Sequence, residues 1–240
     1  MLEADLSQAP QGSDPTAVLA QTRGMIQARA TAYGANDVKV ESSPPKGIVV
    51  SLTGVETADA RRLATARGVV DFRRPVVTPD GLVACKTQDG QAFGVPPNNV
   101  NPDSASGSHA RCFSLDKLGD PAWQPAELLS PDGSRRRLTS DMIVTGGWQE
   151  RTDLSSPAIT VQFNDNGTKL LDDLTSALIR YPLGVFVDGK LIAAPRISRA
   201  ITNGNPVISG FDAHEAHLLV AELNSGPLPV PVSEVTSPSP

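Results

Sequence analysis

The sequence contains no run approaching the roughly 18 to 20 continuous apolar residues needed to cross a bilayer. Its N-terminus, MLEADLSQAP, has neither the basic nor the apolar region of a signal peptide. The chain as given is therefore expected to be soluble. Basic charge is not in excess either. Lys and Arg number 21 against 26 Asp and Glu, a formal net charge of −5, which excludes a global basic surface for nucleic acid or anionic lipid. The local exception, Arg135-Arg136-Arg137, is expected to be a solvated loop. Two cysteines, Cys85 and Cys112, are too few by themselves for a four-ligand zinc site. Catalytic signatures are missing as well: there is no G-x-S-x-G elbow, no Walker loop and no dinucleotide fingerprint, and Thr145-Gly146-Gly147 lacks the spacing and the lysine that cradle phosphate. His214 and His217, with Glu215 between them, read HEAH rather than H-E-x-x-H and are expected on an ordinary helix surface. Asp172-Asp173 is expected to be a solvated pair opposite a leucine face. No enzyme, cofactor or metal is expected.

The 240 residues, 39% of them apolar, suffice for one large or two small cores, and the pattern favours two. Leu2 to Leu6 reads as an edge strand. Asp14 then caps a helix with Pro15 in its first turn, Leu19, Met25, Ile26 and Ala30 on its buried face and Gly34 past its end. Val38 to Glu41 and Ile48 to Leu52 read as strands separated by Pro44-Pro45. A second helix starts at Thr57 with Ala60, Leu63 and Ala64, and a strand follows at Val69 to Arg73. Strand, helix, strand, strand, helix, strand is the ferredoxin-like order. From Pro75 to about Leu138, including Pro96 to Ser108, breakers accumulate and no period of 2 or 3.6 is sustained, so this region is expected to be a loop-rich insertion.

Order resumes with strands at Met142 to Val144 and Ala158 to Phe163. A helix from about Gly167 to Arg180 places Leu170, Leu171, Leu174 and Leu178 on one face. Val185, Phe186 and Val187 lead through Asp188-Gly189 to Leu191 and Ile192, a hairpin whose turn suits type I′. Pro195 ends it. A loop from Thr202 to Pro206 precedes a short strand, Val207 to Ser209. Asp212 and Glu215 then open a helix with Ala216, Leu219, Val220 and Leu223 as its apolar stripe, closed by Gly226 and Pro227. Gly54, Gly189, Gly204 and Gly210 sit at strand ends, where they are expected to permit turns rather than to bind a ligand. Leu228 to Val235, with Pro229 and Pro231, reads as an edge strand or an extended return to the first half, and the tail Thr236 to Pro240 is expected to be disordered.

Several of these stretches resemble one family. VFVDGKLIAAP, NGNPVISGF and the helix with LNSGPLPVPV resemble the end of the large extracytoplasmic loop of SecD, a membrane subunit of the bacterial protein-export machinery. DPTAVLAQTRGMIQARATAYGANDVKV and GIVVSLTGVETADARRLATARGVVDFR resemble the earlier helices and strands of that loop. The resemblance covers roughly residues 14 to 76 and 138 to 232.

The resemblance implies two α+β sandwiches of ferredoxin-like type. The first is a base subdomain at residues 1–76, with 227–235 returning to it, and the second is a head at 138–226 that swings relative to it. Residues 77–137 form the insertion between them and 236–240 the tail. Breaker-rich hinges are expected near Pro75 to Pro79 and Gly226 to Pro229. The chain is then a loop of a longer membrane protein, on the extracytoplasmic face of the bacterial cytoplasmic membrane, and itself spans nothing. In that compartment Cys85 and Cys112 can pair and tie down the insertion, a stabilisation of roughly 3 kcal/mol; free thiols are the alternative. The implied role is weak binding of emerging, unfolded preprotein by the head, with SecF and the SecYEG channel as partners through the full-length protein. The substrate-contacting residues stay unassigned. The competing reading is a docking module that contacts SecF or the channel without touching substrate.

Overall fold

Asp14 accepts a hydrogen bond from the Thr16 N–H at 3.1 Å, and Pro15 occupies the first turn of an 18-residue helix, α1 (Pro15–Ala32). This helix lies between β1 (Leu2–Ala4) and the hairpin of β2 (Asn36–Ser43) and β3 (Gly47–Thr53), and α2 (Thr57–Thr65) follows. The computed structural model describes residues 1–43, 45–102, 110–130, 132–151 and 157–235. Pro44, part of the Pro96 to Ser108 segment and the 236–240 tail lie outside them. Among the described residues, four α-helices and many short strands make this a mixed α/β chain.

The chain divides into two compact units, Met1–Val69 with His217–Pro240 and Val70–Ala216. In the first unit one antiparallel sheet has the order β18-β1-β3-β2, where β18 is the C-terminal strand Val232–Glu234, numbered for its place in the chain. Val69 to Arg73 was expected in the position that β18 holds. The observed strand β4 (Val70–Pro75) instead pairs with partners in the second unit. Short apolar runs of this kind carry no mark of their partner, because pairing is decided by which sheet edge their flanking chain reaches. The core joins Leu2, Leu19, Ile26, Ile48, Val230 and Val232.

The second unit contains the region expected to be loop-rich, and there the structure differs most from that reading. Residues 83–137 hold β5 (Val83–Lys86), β6 (Ala92–Val95), β7 (Val100–Pro102), β8 (Ala110–Phe113), β9 (Leu118–Pro121), β10 (Trp123–Pro125), β11 (Glu127–Leu129) and β12 (Arg135–Arg137). At three or four residues each, they complete too few alternations to register as a period. Five form a sheet in the order β6-β5-β9-β8-β7. Cys85 and Cys112 are joined by a disulfide across it. Cys85 is aligned with Pro121 and Cys112 with Gly119, so the bridge passes over β9. Two strand spacings amount to about 9.5 Å, yet the Cα atoms are 6.4 Å apart, so the sheet curls tightly here. A Cβ on Gly119 would lie 2.2 Å from the Lys86 carbonyl oxygen, which only glycine avoids. Both cysteines are buried in a core with Val83, Val95, Val100 and Ala194.

The remainder of the unit comprises β13 (Ile143–Arg151), β14 (Ala158–Phe163), α3 (Asp165–Ala177), β15 (Gly184–Val187), β16 (Lys190–Ala193) and β17 (Val207–Ser209). The Asp188-Gly189 turn between β15 and β16 has φ of 51° and 78°, both positive as a type I′ turn requires. Rather than one head sheet, the strands form β10-β4-β15-β16 and β13-β14-β17. Leu170, Leu171, Leu174 and Leu178 are all buried. The last helix, α4 (Ala213–Asn224), was expected in the head; its residues from His217 onward belong to the first unit. There Leu218 and Ala221 pack with Leu63 of α2.

Candidate functional site

The second unit carries a groove lined by side chains from β4, β14, α3, β15 and the segment around β17, enclosing a cavity of about 170 Å³. Its base is apolar. Phe72 and Phe163 meet with ring centroids 5.7 Å apart and planes tilted by 53°, and Val161, Leu171, Leu183 and Val185 are all buried beside them.

One wall is the chain from Pro206 to Ile208. Gly204, at φ +66°, lets the preceding loop press against α3: a Cβ there would meet the Thr168 hydroxyl at 2.1 Å. Phe163 N–H then donates to the Gly204 carbonyl at 2.9 Å and Val161 N–H to the Pro206 carbonyl at 3.0 Å. The register continues with Thr160 opposite Val207 and Ile159 opposite Ile208. Positions 206 and 208 therefore bond inward, and the N–H and C=O of Val207 and Ser209 face the outer edge. Among the described residues no strand pairs with that edge. Val207 is 44% exposed, whereas Ile208 is buried.

The opposite wall is Pro195 to Ile201. Ile197 is held by backbone bonds in both directions, its N–H to the Tyr181 carbonyl at 2.9 Å and its carbonyl from the Arg180 N–H at 2.7 Å. Thr175 Oγ1 accepts the Ile201 N–H at 2.9 Å. Arg196 Nη2 donates to the carbonyls of Asn98 and Val100 and to Asn101 Oδ1, all within 3.0 Å, and so ties this wall to β7. The lining holds no Asp, Glu, His or Cys. This arrangement offers apolar burial, two arginines and an open strand edge, the elements needed to hold an extended chain.

The residues singled out by sequence lie elsewhere. Each arginine of the 135–137 run sits in the strand β12 and pairs with a carboxylate: Arg135 with Glu127, Arg136 with Asp173 at 3.0 Å and Arg137 with Asp71. The expected loop is instead a strand, its three arginines exposed as expected, and Asp173 is ion-paired. Burial acts to raise the Asp71 carboxyl, but hydrogen bonds from Arg73 and Arg137 hold it below its ordinary value. His214 is exposed. His217 is half-buried, its Nε2 3.1 Å from the Tyr33 carbonyl. Among the described residues no group of three His, Cys, Asp or Glu could hold a metal ion.

Sequence reading also missed a polar hub in the first unit. Arg29, fully buried on α1, donates to the carbonyls of Ala66, Arg67 and Gly226 and to Ser225 Oγ. It thereby covers the carbonyl ends of α2 and α4, which have no partner within their own helices. The signal available for the groove was the run PRISRAI, whose arginines alternate with apolar residues after a strand-ending proline.

Comparison with known proteins gives the following. Residues 129–230 match the family model described as SecDF, P1 head subdomain. The protein translocase subunit SecD of Acidaminococcus fermentans is 44% identical over 80 residues, 33% of this chain and 19% of that protein. SecDF of Thermus thermophilus is 28% identical over 218 residues, 89% of this chain and 27% of that one. A solved structure described as a membrane component SecDF that enhances protein export superposes with a TM-score of 0.57 at 23% identity, covering 98% of both chains, which is a likeness of fold. The chain thus spans about a fifth to a quarter of the length of these two curated relatives. Among the described residues no helix is long and apolar enough to cross a membrane.

Proposed function

We propose that the chain, whose residues 129–230 match the SecDF P1 head subdomain, is the main extracytoplasmic domain of a SecD-type translocase subunit, and that its groove holds emerging, unfolded preprotein in extended form during export. The observation that carries this reading is the apolar groove bordered by the outward-facing N–H and C=O groups of β17. An added strand bonds to those groups whatever its sequence, while the Phe72–Phe163 base accepts apolar side chains. Such binding is weak and general, as a factor that handles many preproteins requires. The order β18-β1-β3-β2, with two helices interleaved, is read as a ferredoxin-like base. In the full-length protein, SecF and the SecYEG channel are the partners, and the head moves relative to the membrane part. Hinges near the breaker-rich Pro75 to Pro79 and Gly226 to Pro229 allow that motion.

The test is fluorescence anisotropy of a labelled, unfolded secretory-protein segment titrated with the chain and with Val207→Pro. The substitution removes an outward N–H without touching the β14 ladder. Saturable binding is expected, weakened about fivefold by the loss of one edge bond, with stability changed by less than about 1 kcal/mol. Absence of binding at up to about 1 mM chain would reject substrate handling in favour of docking to SecF or the channel.

A further inference from the structure

Two sets of arginines stand out in the second unit. Arg73, Arg111, Arg135, Arg136 and Arg137 each carry a carboxylate partner. Arg196 and Arg199, which line the groove, and Arg180, whose N–H bonds Ile197 in the groove wall, carry none among the described residues. Arg196 spends its hydrogen bonds on two carbonyls and an amide oxygen, so its charge remains uncompensated. Arg199 is exposed. In a chain of net charge −5, the rim of the apolar groove thus carries positive charge with no carboxylate partner among the described residues.

Resting on the reading of the groove as a site for extended polypeptide, we infer that it is charge-selective: it takes up apolar segments flanked by Asp or Glu and disfavours those flanked by Lys or Arg. The two features act on different parts of the occupant. An apolar side chain enters over Phe72 and Phe163, and the outward-facing groups of Val207 and Ser209 fix the backbone. A carboxylate next to the apolar residue then meets the guanidinium groups on the opposite wall, where Arg199 offers a planar fork for bidentate contact. A lysine in the same place meets like charge. The pairing is rim-exposed, so its contribution is modest and sensitive to salt.

The experiment uses the whole chain and three peptides with blocked termini that share one apolar core and differ only in flanking residues: acidic, serine or lysine. Anisotropy at low ionic strength is expected to rank them acidic, serine, lysine, with about threefold to fivefold between neighbours. The ranking collapses when salt is raised to about 1 M. Arg199→Ala flattens the series and Arg199→Glu reverses it, while thermal melts stay unchanged because Arg199 is exposed. Equal affinities for the three peptides would overturn the selectivity and leave the groove reading intact. Lack of binding by all three would overturn both. A ranking that persists in Arg199→Glu would place the selectivity away from this rim and overturn the assignment.

Discussion

In the first compact unit, segments far apart in sequence are joined by a buried guanidinium; in the second, the comparable long-range fastening is a disulfide across a curled sheet. Arg29 reaches from α1 to the carbonyl ends of two other helices, and around it the sheet β18-β1-β3-β2 buries one continuous apolar face. Among the described residues, the second unit divides its strands among four sheets, each short, and between two of its walls leaves the groove. A unit closed around a polar hub still has sheet edges, at β18 and β2, that no further strand covers among the described residues. One built from short strands with open edges can add a strand at small cost. The same economy that leaves its periods illegible supplies its edges.

The contrast is broken most severely at Leu219 and Arg29. Leu219 is fully buried on α4, and Leu219→Asp places an unpaired carboxylate there, at a cost of about 5 kcal/mol. Arg29→Met keeps the stem but strips the carbonyls of Ala66, Arg67 and Gly226 of their donor, and about 4 kcal/mol is expected to go with it. Urea denaturation measures both. Should Arg29→Met cost less than about 1 kcal/mol, the hub would be incidental and the first unit would be held by its apolar core alone.

Next in size is the disulfide. Its 27-residue separation corresponds to about 3.5 kcal/mol of unfolded-state constraint. Cys85→Ser combined with Cys112→Ser should lower stability by that amount. Because both sulfurs lie in the Val83–Val100 core, the loss should appear as cooperative melting at lower temperature rather than as local loosening of a loop. Alkylation of the unreduced chain, read by mass, checks the pairing directly: two modified cysteines would remove the second unit from the comparison.

What could be read in advance follows the same division. α1 announced itself through Asp14, Pro15 and Gly34, and the β15–β16 hairpin through Asp188-Gly189, because caps and tight turns are decided by residues within four positions of one another. The fourth strand of the first sheet was misplaced because Val70 to Pro75 and Val232 to Glu234 are both short; what separates them is a partner far away in the sequence. Arg29 follows Ile26 by three positions and looks like an ordinary interruption of an apolar face until the ends of two other helices are brought to it. The groove was least legible of all. Phe72, Val161, Leu171, Val185 and Ile208 come from five elements, and no local pattern links them.

The smallest expected effect lies in how each unit uses ion pairs. Arg62 bonds Glu222 at 3.0 Å in the first unit with the carboxylate 1% exposed, whereas Arg136 and Asp173 meet at 3.0 Å in the second with both side chains about half exposed. The distances are equal, but the solvent is not. A carboxylate inside cannot recover hydration when its partner is removed, so Arg62→Ala should cost about 2 to 3 kcal/mol. Asp173→Asn should cost less than about 0.5 kcal/mol, and Asp172→Asn should be similarly neutral. Chemical denaturation in low and high salt separates the cases: the Asp173 effect fades as salt rises and the Arg62 effect persists. If Asp173→Asn proved as costly as Arg62→Ala, the β12 arginines would be structural fasteners of the second unit, and its surface charge could no longer be treated as free to serve the groove.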